Sequence, residues 1–423
     1  MSKLALSHDF VWLSAILFAK MIYMFSFPRI EKITRDATLV HLFLMFGYKT
    51  FSLYFPLFLV NKGLSLPEVG YSYLLIYLPL SLFAPIAGHL NHKINPAILA
   101  GWGVLGYAAY SLGMILIVPQ SSWGVFLFYL WQILLGVSAS LFFVSIRSIL
   151  IGYPLENPDR SFGWFYSAPF YADAIAPIVG AFFIWRFGFN GVFIFSLILH
   201  LATFVFCLAS LKNPAKTLVD EGFGIIDSKN NYQKIFQDLK RKAILPVVLI
   251  SSAVLLLAGF YRAFFILFLK DQLVWSQETI LVFTSVISVL FLPLSFFVIK
   301  RLEKANSEKN VFHGGLAVGF FSIIFGWLAP VLNFISVLFI NLAKSASSLI
   351  CNSGRSGLLS RNLKTEPEEA GAIDTVFSPL GVAFGAFISG LLIGFLGYQL
   401  LFILGGIFVI FVSILAKSAF AKS

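Results

Sequence analysis

An all-α integral membrane protein, with twelve transmembrane helices set out as two six-helix bundles, is the fold class this chain predicts, and three observations predict it. Apolar runs of about 20 residues, the length that crosses a bilayer core, recur twelve times along the 423 residues. Only 12% of residues are charged while 59% are hydrophobic, which leaves too little polar surface for a water-soluble domain of this size. The second half repeats the first: sliding the chain by 208 residues sets "GVSASLFFVSIRS" (136–148) over "KSASSLICNSGRS" (344–356), so that Ser145, Arg147 and Ser148 meet Ser353, Arg355 and Ser356.

The spans are predicted at roughly 38–60, 69–90, 97–118, 124–152, 162–185 and 190–211, then 244–269, 279–300, 312–331, 334–359, 371–396 and 398–416. The layout is therefore an N-terminal segment (1–37), a first bundle (38–211), a polar linker (212–243), a second bundle (244–416) and a short tail (417–423). Before the first span, "VWLSAILFAKMIYMFSF" (11–27) is expected to lie in the membrane interface. Lys20 at a helix centre would cost about 2.5–3.5 kcal/mol, and Arg29, Lys32 and Arg35 follow it. No small-residue cleavage site precedes Pro28, so no removed signal peptide is expected. In the linker, Tyr232, Ile235, Phe236 and Leu239 recur at spacings of three and four among basic residues, the pattern of a helix lying on a membrane surface.

Basic residues alternate sharply between the two sides. Twenty-one lysines and arginines fall in segments on the side of the N-terminus, against Lys62, Arg186 and Lys270 on the other. Both termini are thus expected in the cytoplasm, in a plasma (inner) membrane protein. The same distribution accounts for the formal charge of +11 without nucleic acid, because a bias spread over alternate loops is an insertion signal. Cys207 and Cys351 both fall in apolar runs and are expected as buried thiols.

Several stretches resemble the major facilitator superfamily of transporters, bacterial type. "FPLFLVNKGLSLPEVGYSYLL" (55–75) is similar to the exit of the first helix and the start of the second; "GHLNHKI" (88–94) to the loop after the second; and "LENPDRSFGWFYSAPFYADAIAPIVGAFF" (155–183) to the start of the fifth. The similarity spans about residues 38–416. His92 departs from the family pattern, standing where an acidic residue is usual. The resemblance implies two parallel repeats rocking around a midplane site, with the first, fourth, seventh and tenth helices lining a central cavity.

Ionisable residues inside spans are costly and mark functional positions. At ~1.5 Å of rise per residue, Arg147, Arg355 and Asp374 lie about 5–8 Å from the cytoplasmic helix ends, and Lys49, Asp173, Arg262 and Lys344 lie roughly 10–18 Å from the outer ends. For the inner set, the resemblance implies a cytoplasmic gate contact, beside the plainer reading of mutual neutralisation. The middle set holds three cations and one carboxylate. Lys49 is too far from either surface to reach water along the lipid face, so it needs a cavity or a partner. "FGYK" (46–49) and "GFYR" (259–262) sit in equivalent helices, and Tyr48 with Lys49 and Tyr261 with Arg262 are expected to face each other, an arrangement that resembles the basic pair of organophosphate and phosphate antiporters. The excess positive charge suits a carboxylate or phosphate substrate. The bland alternative is a neutral lysine and a permanent pair with Asp173.

The function expected is secondary active transport of a small solute, an organic or phosphorylated anion held by Lys49, Arg262, Lys344, Tyr48 and Tyr261. Protons are a candidate coupling ion through Asp173. One alternative is proton-coupled drug or metabolite efflux; another is a non-transporting receptor or lipid-moving scaffold. A monomer surrounded by membrane lipids is expected, with no cofactor, no metal and no enzymatic activity: no phosphate-cradling loop, metal-ligand spacing or serine elbow is present in the sequence. His200, mid-span, is expected as a packing residue.

Overall fold

The computed structural model describes residues 29–116, 122–211, 244–302, 306–364 and 367–420, plus two isolated linker positions. The expected interfacial helix (11–27) and the amphipathic linker helix lie outside the described residues. The first bundle comprises α1 (Lys32–Ser52), a short continuation α2 (Phe55–Asn61), α3 (Leu66–Lys93), α4 (Pro96–Leu116), α5 (Ser122–Gly152) and α6 (Pro158–Ser210). The second comprises α7 (Leu245–Asp271), α8 (Gln277–Leu302), α9 (Ser307–Trp327), α10 (Phe334–Asn362) and α11 (Pro367–Phe420). Counting α1 with α2, ten helical runs are long and apolar enough to cross a membrane.

Two of the ten are double. At ~1.5 Å per residue, the 53 residues of α6 and the 54 of α11 would each extend far beyond a bilayer if straight. Each contains one non-helical residue, Gly188 (φ 68°, ψ −173°) and Gly397 (φ 69°, ψ 171°), in a backbone region open essentially to glycine alone. The chain reverses there. Asp173 and Pro177 of α6 meet Lys49 of α1 and Tyr54 just past its end on the way out, and Ser196 and His200 meet Gly47 and Leu44 on the way back. Likewise, Gly381 of α11 lies against Ser252 and Leu255 of α7, Tyr398 reaches Asp271, and Gly405 returns to Leu257. The ten runs therefore make the twelve spans the sequence predicts.

Boundaries shift where helices extend beyond the apolar core. The first span, expected to start at 38, begins at Lys32, because Thr34 and Asp36 continue the helix past the point where hydropathy reports it. α3 opens on a capping box in which Ser65 and Glu68 satisfy each other's backbone N–H groups, a local device that fixes helix starts.

In a lipid surround, helix association rests on close packing and interhelical hydrogen bonds. Both bundles use the same close approach. A Cβ on Gly103 would lie 2.6–2.7 Å from the backbone of Phe142 and Ser138, and one on Gly314 would lie 2.8 Å from that of Cys351 and Ser347. Large apolar side chains such as Leu82, Trp185 and Phe395 point outward, where lipid would solvate them. Cys207 and Cys351 are free and buried.

Candidate functional site

A cavity of about 480 Å³ lies between the bundles and takes its lining from both. Tight seating of α6 on α1 positions its first charged pair: a Cβ on Gly180 would strike the Thr50 carbonyl, and one on Gly47 would lie 2.6 Å from the His200 ring. Across that contact the Lys49 ammonium donates to Asp173 Oδ2 at 2.9 Å, with each side chain about one-fifth exposed (23% and 21%). His200 itself is fully buried, with Nε2 3.3 Å from the Leu44 carbonyl and Nδ1 3.3 Å from Ser111 Oγ. It is a packing residue, as the sequence predicts.

The other two mid-membrane cations are placed differently. Arg262 of α7 crosses to the first bundle and donates through Nη1 to the Tyr77 hydroxyl of α3 at 2.5 Å, while its guanidinium stays exposed to the cavity. Lys344 of α10 folds over Tyr261, its Nζ 2.6 Å from the ring centroid and 5.9 Å from that of Phe265. No hydrogen bond or ion pair involves Lys344 among the described residues. The four residues expected to face each other, Tyr48 and Lys49 from the first bundle and Tyr261 and Arg262 from the second, all line the cavity. Tyr48 packs edge-on to Phe51 and Tyr107 of its own bundle, and Tyr261 is a buried platform under Lys344. Lys49 takes Asp173 as its partner, and Arg262 takes Tyr77.

At the end of the molecule that carries Arg29, Lys93 and Lys364, the repeated arginines converge on one carboxylate. Arg355 Nε lies 2.8 Å from Asp374 Oδ1 and Arg147 Nε lies 3.4 Å from Oδ2. Ser356 and Tyr166 also donate to Oδ2, at 2.7 and 3.0 Å. Each arginine also crosses between bundles: Arg147 Nη1 donates to Thr375 at 2.7 Å and Arg355 Nη2 to the Tyr166 hydroxyl at 3.4 Å. Asp374 and Arg355 are 0% exposed and Arg147 5%. A buried carboxylate shared by two guanidiniums leaves one positive charge in excess at the cavity floor.

Two further bridges between the bundles escaped sequence reasoning. Asp159, in the first turn of α6, is 0% exposed and accepts from Arg361 at 2.6 Å, Ser307 at 2.9 Å and Asn310 at 3.2 Å. His92, at the end of α3, lies 2.8 Å from Glu369 of α11. In sequence Asp159 reads as an ordinary acid in a helix first turn, and nothing local links it to an arginine 202 residues away. The departure at His92 was the one available signal for the second bridge. Among the described residues, the basic end is thus closed by three sets of charged contacts, and the cavity lies beyond them.

The family profile described as Major Facilitator Superfamily matches residues 37–370. The chain belongs to the Major Facilitator Superfamily. Members of this superfamily are transporters, so the chain is a multi-pass membrane transporter of a small molecule, and the cavity is placed where such a fold holds its solute. Solved structures agree on the fold. The human organic anion transporter MFSD10 (TETRAN) superposes with a TM-score of 0.70 at 14% identity, covering 92% of this chain and 100% of that one. The proton:xylose symporter XylE, solved with 6-bromo-6-deoxy-D-glucose, gives 0.69 at 14% identity over 92% and 95%. A bacterial homologue of the iron transporter ferroportin, in an outward-facing state, gives 0.66 at 15% over 93% and 99%. At these identities the similarity speaks to the superfamily fold alone. No curated protein sequence matches the chain.

Proposed function

We propose that this superfamily member moves a small organic or phosphorylated anion across the membrane by alternating access, with Arg262, Lys344 and Lys49 as the substrate-binding cations. One observation carries the reading. Arg262 and Lys344 line a cavity in which Asp173, the only lining carboxylate among the described residues, is already paired with Lys49. Positive charge in a poorly solvated site is stabilised by a bound anion through charge-assisted hydrogen bonds. The Arg147–Asp374–Arg355 cluster is the gate at the closed end, which must part for release on that side. We read this end, with both termini, as the cytoplasmic side of a plasma membrane protein, a reading that the basic residues gathered there support.

The test is uptake and counterflow in proteoliposomes with the variant K49Q/R262Q/K344Q. Loss of transport for every anion, with folding retained, is expected; normal anion transport would end the reading. A second reading, proton-coupled efflux, has one favouring feature: the Asp173 carboxylate lines the cavity with Lys49 as its ion partner. An Asp173→Asn protein that kept full pH-driven transport would remove it.

A further inference from the structure

The donors of the cavity are unevenly used. Arg262 has five N–H groups and gives one to Tyr77; Lys344 has three and gives none to a described residue. Lys49 is committed to Asp173, and Arg147 to Thr375 and Asp374. The free capacity for an anion therefore sits on α7 and α10, both in the second bundle.

The two walls also differ in chemistry. Around Lys344, α10 lines the cavity mostly with polar residues, Asn341, Ser345, Ser348 and Asn352, whereas its repeat partner α5 lines it with Leu135, Ala139 and Phe143 above Arg147, which is already committed. A second apolar patch lies where α6 meets α8: the rings of Phe170 and Phe291 are 4.2 Å apart between centroids, and both residues line the cavity. A strongly hydrated ion such as inorganic phosphate would leave this patch wet and unused. A molecule with one charged end and one flat apolar end fills both.

We infer that the substrate is an amphipathic organic anion, an aromatic acid in chemical class, bound with its head group between Arg262 and Lys344 and its ring on the Phe170–Phe291 patch. The inference rests on the anion reading above and narrows it. The energetic weight of the ring follows from apolar burial: enclosing a group of phenylalanine size contributes about 1.5–3 kcal/mol, or roughly 10- to 150-fold in affinity.

The experiment is calorimetric titration of the purified full-length protein in nanodiscs with acetate, benzoate, 2-naphthoate, 2-naphthamide and inorganic phosphate. Affinity is expected to rise at least tenfold from acetate to benzoate and again to 2-naphthoate. Phosphate is expected to bind no better than acetate, and the neutral amide at least tenfold more weakly than its acid. In Phe170→Ala the gain from acetate to 2-naphthoate shrinks, and in Arg262→Gln the acid loses its advantage over the amide. Phosphate or acetate binding as tightly as 2-naphthoate overturns the inference while leaving anion transport standing. Binding of the amide with no binding of any anion overturns the anion reading itself.

Discussion

Removing the charge of Asp374 tests the closed end most directly. In the closed arrangement, Asp374→Asn leaves Arg147 and Arg355, 5% and 0% exposed, facing each other without a counter-charge. Breaking a buried ion pair from one side costs about 3–5 kcal/mol. The penalty applies to the closed arrangement, because in an opened one water reaches the guanidiniums. The ratio of open to closed molecules should therefore rise on the order of 10²- to 10⁴-fold, at 1.36 kcal/mol per decade. Spin labels at Lys93, at the end of α3, and Lys364, just past α10, both exposed, report the separation of the bundles at this end by pulsed dipolar spectroscopy. The variant is expected to gain a longer-distance population that Asp374→Glu does not. An unchanged distance distribution in a folded Asp374→Asn protein would refute the idea that this carboxylate holds the end shut.

The same label pair should respond less to Asp159→Asn, by about 1–2 kcal/mol, since its partner Arg361 is 41% exposed and hydrates when released. A shift as large as that of Asp374→Asn would contradict this ranking. Lys49→Gln and Asp173→Asn should each lower thermal stability, and the double variant should lose less than the sum, with a coupling of roughly 0.5–3 kcal/mol. Strict additivity would mean that the 2.9 Å pair contributes nothing. Replacing Gly188 and Gly397 by alanine should cost about 1–3 kcal/mol each, and the costs should add because the sites share no contact; equilibrium unfolding in mixed micelles measures this, and an unaltered double variant would show that positive φ is not required.

The spans were legible because an apolar run of bilayer length is a signal that needs no knowledge of neighbours. Their reversals were legible too, since Arg186 and the glycines at 188 and 397 separate adjacent runs. What the sequence withheld is pairing across the bundles. The Arg147 and Arg355 match is visible as a repeat, but their convergence on Asp374 depends on where α11 starts against both bundles. Asp159 was hidden for the same reason, its partners being supplied by α9 and α10. In the cavity, sequence located the cations and left open which of them would be paired. Distance decided it: Asp173 lies one helix contact from Lys49, while Lys344 rests on an aromatic ring.

The single-residue turns at Gly188 and Gly397 have a practical consequence. Two hairpins of the face opposite Arg29, Lys93 and Lys364 close without a loop, so proteases find no extended segment in them and an inserted epitope tag would break the helices themselves. Among the described residues, surface reagents aimed at that face have the connections at Lys62–Ser65, Gln272–Ser276 and Leu328–Asn333 to work with instead.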